Sequence, residues 1–182
     1  MRNICLKPVV PTEEIMQQLE KQGFITRLSV ENGMISDEQR KKLPVRPVYK
    51  TAPEYGAHML LSVVVDRTDA AACFGYHPDR EDLLVIRTLP NSKPLYLVIS
   101  YLDKDEMMKK IDDETLCEED FIALDLVYAD PDLSCFTMNP YVLHGEATTA
   151  GEGNYPYFYV TEPADLPLHL VDFKGLTITV KE

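Results

Sequence analysis

The chain has 182 residues, which is long enough for one domain of ordinary size with its own hydrophobic core. It carries 30 acidic residues against 18 basic ones, so its formal net charge is −12. A surface of this charge repels the phosphates of nucleic acids and the headgroups of anionic lipids. We therefore expect no nucleic-acid partner and no membrane partner.

The cysteines and the start of the chain bear on the cellular compartment. The four cysteines lie far apart and form no CxxC pair, which argues against a zinc knuckle and a disulfide framework. The opening MRNICLKPVV lacks the pattern of a secretory leader, and no run approaches the roughly 18 apolar residues of a membrane span. These observations predict a cytoplasmic protein with reduced thiols.

The first predicted element is a short amphipathic helix within TEEIMQQLEKQGF. Thr12 is suited to cap its start because the threonine hydroxyl can accept a hydrogen bond from the first turn. Acidic residues occupy that turn, and Ile15, Met16 and Leu19 recur at helical spacing. Gly23 is predicted to end the helix.

The stretch after this helix predicts a helical turn followed by an extended connection. DEQRKKLP, residues 37–44, is compatible with one or two turns of helix, and PVRPVYKTAPEYG is a proline-rich extended segment. Together with the first helix, these features predict a helical and extended N-terminal segment over residues 1–55. We expect it to pack on the outside of a larger unit, residues 56–182.

Short segments rich in β-branched and aromatic residues dominate residues 56–182, and turn-forming residues separate them. The predicted strands lie in HMLLSVVVD, EDLLVIRTL, KPLYLVISYL, DFIALDLVYA, YPYFYVTE, LPLHLVDF and LTITVK. One helical pattern, DKDEMMKKIDDETL, interrupts them at residues 103–116. At least seven strands at this spacing predict a mainly β domain, built as an antiparallel barrel or a barrel-like sandwich.

Two stretches place histidine near acidic residues and are candidates for chemistry. In CFGYHPDREDLLVI, Gly75 and His77 share one face of an incoming strand, and Glu81 follows a Pro-Asp turn. In MNPYVLHGEA, His144 precedes Glu146 by two residues. If both stretches form one site, the His77 and His144 side chains lie about 3 to 6 Å apart, because their nitrogens then share a metal or a water.

The two stretches resemble the paired motifs of the cupin superfamily, in which His-x-His and a following glutamate face a further histidine from a neighbouring strand. Gly75 stands where the first histidine of that pair would be, so the resemblance implies a site made of His77, Glu81 and His144. Within the superfamily, YHPDREDLLVIRTLPNSKPLYLVIS is most similar to the ureidoglycolate lyase family, also called ureidoglycolate hydrolase. The resemblance covers about residues 57–150 and implies a double-stranded β-helix barrel.

Three interpretations of these residues remain open. In the first, His77, Glu81 and His144 are ligands of a divalent metal such as Zn, Fe, Ni or Mn, with open positions for water or substrate. In the second, one histidine acts without metal as a general base beside Glu81. In the third, His77 caps a turn, Glu81 is solvated and His144 bonds to a backbone carbonyl.

Two functional classes follow. The first is an enzyme that acts on a small polar metabolite, a hydroxy acid, keto acid or ureido compound, by lyase, isomerase or hydrolase chemistry. The second is a noncatalytic barrel that binds a small molecule as a sensor or storage protein. Predicted open strand edges and 10 tyrosines also favour a twofold homodimer.

Overall fold

The structure, a computed structural model, describes residues 2–27, 30–31, 34–35, 50–52, 57–61, 72–78, 83–87, 95–126, 133, 136–148, 157–159 and 169–181. The helices in these residues are α1 (Glu13–Lys21), α2 (Lys104–Asp112) and a 3-10 turn (Glu118–Asp120). The strands are β1 (Asn3–Leu6), β2 (Pro8–Val9), β3 (Ile25–Arg27), β4 (Val30–Glu31), β5 (Met34–Ile35), β6 (Lys50–Ala52), β7 (Ala57–Leu61), β8 (Ala72–Tyr76), β9 (Leu83–Arg87), β10 (Leu95–Ser100), β11 (Phe121–Asp125), β12 (Phe136–Met138), β13 (His144–Thr148), β14 (Tyr157–Tyr159), β15 (His169–Leu170) and β16 (Thr177–Val180). The helical turn predicted within 37–44 lies outside the described residues.

Most of these strands form two six-stranded sheets. The first sheet has the order β15-β8-β13-β10-β11-β2, and the second has the order β3-β12-β9-β14-β7-β6. Pairing within them is antiparallel, except that β2 runs parallel to β11. The predicted mainly β class is confirmed.

Of the two predicted architectures, a barrel or a barrel-like sandwich, the described strands do not form a closed barrel, because both sheets are open and end in edge strands. Strand spacing along a sequence predicts how many strands exist, but it contains no information on which edges pair. The finer assignment to a double-stranded β-helix therefore stays a prediction.

Both predicted helices are confirmed, with the capping that their sequences indicate. The Thr12 hydroxyl accepts a hydrogen bond from the backbone N–H of Ile15, and Gly23 follows α1 with a φ of +85°. Asp103 caps α2 in a capping box with Glu106. Each helix buries the residues of its apolar stripe, which anchors it against the first sheet: Met16 and Leu19 in α1, Met107 and Ile111 in α2.

The first sheet is buried on both faces. Side chains alternate across β10, so Leu97 and Ile99 enter one core while Tyr96 and Val98 enter another. The inner core, toward α1 and the second sheet, contains Met16, Leu19, Ile25, Leu97, Ile99, Leu124, Leu126, Phe136, Met138 and Val142. The outer core, toward α2, β1 and β16, contains Ile4, Leu6, Phe74, Tyr96, Val98, Met107, Ile111, Leu116, Phe121, Ala123, Leu143, Ile178 and Val180. In a barrel with one apolar interior, only every second residue of β10 would need to be apolar. The apolar residues on both faces of β10 therefore go with a separate core on each side of the sheet.

The N-terminal segment is built into both sheets. Strand β2 lies at one edge of the first sheet, β3 lies at one edge of the second, and β1 pairs in parallel with β16 in a separate two-stranded ribbon. These strands have two to four residues, too few for periodicity to predict. The division between residues 55 and 56 stays a prediction. In the described part of the chain, no helix is long and apolar enough to cross a membrane.

Candidate functional site

His77 directly follows strand β8 and lies on the inner face of the first sheet, the face toward α1 and the second sheet. Phe74 enters the outer core, and Gly75 lies on the opposite face, as does His77 just past the strand end. His77 is only 5% exposed. A Cβ atom at Gly75 would lie 2.4 Å from the backbone oxygen of His169 in the adjoining β15. No histidine fits at position 75, because the neighbouring strand occupies the space that its side chain needs.

His144 begins β13 and lies on the same face. It pairs with Gly75 of β8 on one side and with Ile99 of β10 on the other, and paired residues point to the same side of a sheet. Since Ile99 belongs to the inner core, His144 faces inward, and it is 7% exposed.

The rings of His77 and His144 therefore meet, although the two residues are distant in the sequence. Their centroids are 6.1 Å apart and their planes are tilted by 33°. This centroid separation is slightly longer than the roughly 3 to 6 Å predicted for the two side chains, and it measures the distance between the rings, not between their nitrogens. The predicted convergence is observed, while the catalytic and metal-binding roles of the pair stay predictions.

One loop, the 139–143 loop, is hydrogen-bonded to both histidines. The backbone N–H of Tyr141 donates to the carbonyl of His77 at 2.7 Å, and the carbonyl of Val142 lies 2.9 Å from Nδ1 of His144. In a neutral imidazole this contact places the proton on Nδ1 and the lone pair on Nε2. The third interpretation predicts such a carbonyl bond, but histidines that bind metals commonly make it too.

Glu81, the third candidate of the site, lies outside the described residues, so its predicted role as ligand or catalytic acid is untested. In the described part of the chain, no three His, Cys, Asp or Glu side chains are close enough to hold a metal. The structure therefore places two of the three predicted site residues and brings those two together.

An aromatic cluster lies beside the histidine pair at the same end of the first sheet. The Tyr76 ring stacks on His169 with centroids 5.0 Å apart, contacts Tyr141 at 6.1 Å and has the ammonium of Lys104 at 5.9 Å. Tyr141 is 62% exposed and has a φ of +63°, which is unusual for a residue with a side chain. Sequence reasoning missed this cluster because it joins four separate segments.

A second group of titratable residues joins α2 to the 3-10 turn. Lys110 Nζ is 2.5 Å from Oδ1 of the buried Asp120, and the Cys117 backbone N–H and thiol both donate to Asp120 Oδ2. Burial alone would raise the pKa of Asp120, but the bonds from Lys110 and Cys117 outweigh it and lower that pKa. A hydrogen bond to Glu119 together with burial raises the pKa of the Cys117 thiol, so this cysteine is no activated nucleophile.

Comparison of the chain with protein-family models, with curated proteins and with solved structures gives no match. The resemblance to the cupins and to ureidoglycolate lyases therefore depends on the sequence motifs alone, and what it implies is carried forward as a proposal.

Proposed function

We propose that this protein is a cupin-type enzyme that acts on a small polar metabolite through His77, His144 and Glu81. The observation that carries the proposal is the meeting of two buried imidazoles whose centroids are 6.1 Å apart. Two imidazoles at this distance suit a shared metal, proton or substrate.

The chemistry assigned to the pair is proton transfer next to a carbonyl or hydroxyl group. His144 with its proton on Nδ1 presents the lone pair of Nε2 as a base, and the carbonyl of Val142 holds that tautomer. Lyase, isomerase or hydrolase reactions of hydroxy acids, keto acids or ureido compounds all need such a step. We assign Glu81 to the same site on the motif resemblance.

The same residues suit a divalent metal. Imidazole nitrogens with a carboxylate oxygen are ligands that Zn, Fe, Ni and Mn all accept, and His77, His144 and Glu81 are the residues that would hold the ion. When bound, the ion would polarise a substrate carbonyl or lower the pKa of a water.

The finer fold and the assembly belong to the same proposal. The two open sheets and their shared inner core suit a double-stranded β-helix of cupin type, with the histidine pair at its mouth. We propose that the protein forms a twofold homodimer, because the sheets end in edge strands that association would cover. We place it in the cytoplasm on the sequence features described above.

A second candidate function is noncatalytic binding of a small molecule. Its support is the burial of His77 and His144 to 5% and 7% exposure, together with the carbonyl bond of His144. A base so enclosed has restricted access to substrate, whereas a sensor or storage protein needs only slow exchange of its ligand.

The two candidates are separated by a turnover assay on panels of hydroxy acids, keto acids and ureido compounds, including ureidoglycolate. Each panel is run without metal and with Zn²⁺, Fe²⁺, Ni²⁺ or Mn²⁺. We expect turnover by the wild type, none by His77→Ala or His144→Ala, and unchanged turnover by the control His169→Ala. Saturable binding without turnover would favour the noncatalytic function, and activity that survives both site substitutions would contradict the proposal.

A further inference from the structure

We infer that Asn139 is a positioning residue for the histidine pair, and that it acts by fixing the 139–143 loop. The inference rests on the proposed function of that pair. Asn139 begins this loop, whose backbone bonds to the carbonyl of His77 and to the imidazole of His144.

The loop controls each histidine through a different contact. The N–H of Tyr141 bonds to the backbone carbonyl of His77, which sets where that residue sits after β8 ends. The carbonyl of Val142 bonds to Nδ1 of His144, which sets both the tilt and the tautomer of that ring. A movement of the 139–143 loop therefore changes both rings together.

Asn139 anchors this loop to the turn that follows α1. Its backbone N–H donates to the carbonyl of Phe24 at 3.0 Å, and its side-chain Nδ2 donates to the carbonyl of Gly23 at 2.8 Å. Its Oδ1 accepts from the hydroxyl of Thr26 at 2.7 Å. Donor and acceptor of the Asn139 amide are thus both used, and both bonds reach one short segment.

The segment to which Asn139 bonds, residues 23–26, is held in place by the packing of α1 and by the pairing of β3. Helix α1 buries Met16 and Leu19 in the inner core, and β3 pairs with β12, the strand directly before Asn139. The loop in turn carries an unfavourable conformation, since Tyr141 has a φ of +63°. Such a conformation persists only where surrounding bonds hold it, and the Asn139 bonds supply that restraint.

The test replaces Asn139 by alanine and follows the imidazoles directly. Imidazole ¹⁵N chemical shifts separate the two neutral tautomers, and a chain with 4 histidines can be assigned by single His→Gln substitutions. We expect Asn139→Ala to mix the tautomers of His144 and to weaken Zn²⁺ binding by about 10- to 100-fold, as removal of outer-shell partners does.

The terminal ribbon provides a matched control. There Asn3 and Thr179 form an equivalent Asn–Thr side-chain pair, with bonds of 3.1 and 3.3 Å, in a ribbon that packs on the outer core. Asn3→Ala removes the same chemical groups and should leave the His144 tautomer and Zn²⁺ affinity unchanged.

A milder pair of variants covers the case in which Asn139→Ala does not fold. Thr26→Val removes one anchoring bond and should shift the His144 signals in the same direction by less, and Thr26→Ser should restore them. Unchanged His144 signals in a folded Asn139→Ala, or in Thr26→Val, would overturn the inference. Absence of turnover and metal binding in the wild type would count against the proposed function instead, because the tautomer readout needs neither.

Discussion

Two buried polar groups, one between α2 and the 3-10 turn and one on the inner face of the first sheet, are organised in different ways. Around Asp120, an ammonium, a backbone N–H and a thiol all donate to one carboxylate, so each charge has its complement. In the histidine pair, two groups of the same kind meet, and a backbone loop orients them. Complementary charges make the Asp120 group useful for stability, whereas the role that we propose for the histidine pair is binding or chemistry.

Gly75→Ala is expected to have the largest effect, because it disturbs the strand that carries His77. The added methyl would lie 2.4 Å from the backbone oxygen of His169, so β8 or β15 must move. We expect a loss of about 3 kcal/mol in the free energy of unfolding, measured by urea denaturation, and weaker Zn²⁺ binding as well. A variant with wild-type stability would show that β15 does not approach β8 as described.

Asp120→Ala should cost about 2 kcal/mol, because it leaves the Cys117 N–H without its acceptor and removes a charge-assisted bond. Zn²⁺ binding should stay at the wild-type level, which separates this group from the histidine pair. Asp112→Ala is the matched control, since its ion pair with Lys174 is exposed and its loss should matter far less. Equal losses in the two variants would contradict a special role for Asp120.

His144→Ala should have the opposite effect to Asp120→Ala, with little change in stability and a loss of Zn²⁺ binding. We expect the loss of the bond to Val142 to lower the free energy of unfolding by about 1 kcal/mol, with the melting temperature nearly intact. Zn²⁺ binding and turnover should nevertheless disappear. A large drop in melting temperature with function retained would make His144 a structural residue.

The smallest expected effect is a pH dependence carried by Asp120. The folded-state pKa of this carboxyl is lowered below its ordinary value of 3.8, so its stabilising effect is complete above that value. It is lost as the pH falls through the folded-state pKa. Asp120→Asn should therefore flatten the acid side of the stability curve measured by urea denaturation below pH 4. If the free energy of unfolding of Asp120→Asn falls below about pH 4 as steeply as that of the wild type, Asp120 is not the source of this pH dependence.

The helices and the mainly β class could be predicted because their signals are local. Thr12, Gly23 and the apolar spacing between them determine α1 without help from the rest of the chain. Strand pairing is not local, and the two- and three-residue strands β2 and β3 are too short to leave a periodic pattern. The order of the strands in the two sheets and the second core could not be predicted for that reason.

The candidate site was predicted in part. Motif resemblance identified His77 and His144, and the structure brings their rings together. The reason for glycine at position 75 needed the path of β15, which no neighbouring residue in the sequence indicates. Asn139 was missed because side-chain bonds to a distant backbone segment follow no spacing rule.

The central claim, that His77 and His144 form one site, is tested most directly by a double-mutant cycle of Zn²⁺ binding measured by calorimetry. Zn²⁺ serves as a probe of two adjacent imidazoles, whichever ligand the protein uses. If the two residues share one site, His77→Ala and His144→Ala each abolish Zn²⁺ binding, the double variant loses nothing more, and His169→Ala binds as the wild type does. Independent and additive losses, or equal binding by the wild type and the double variant, would contradict the claim.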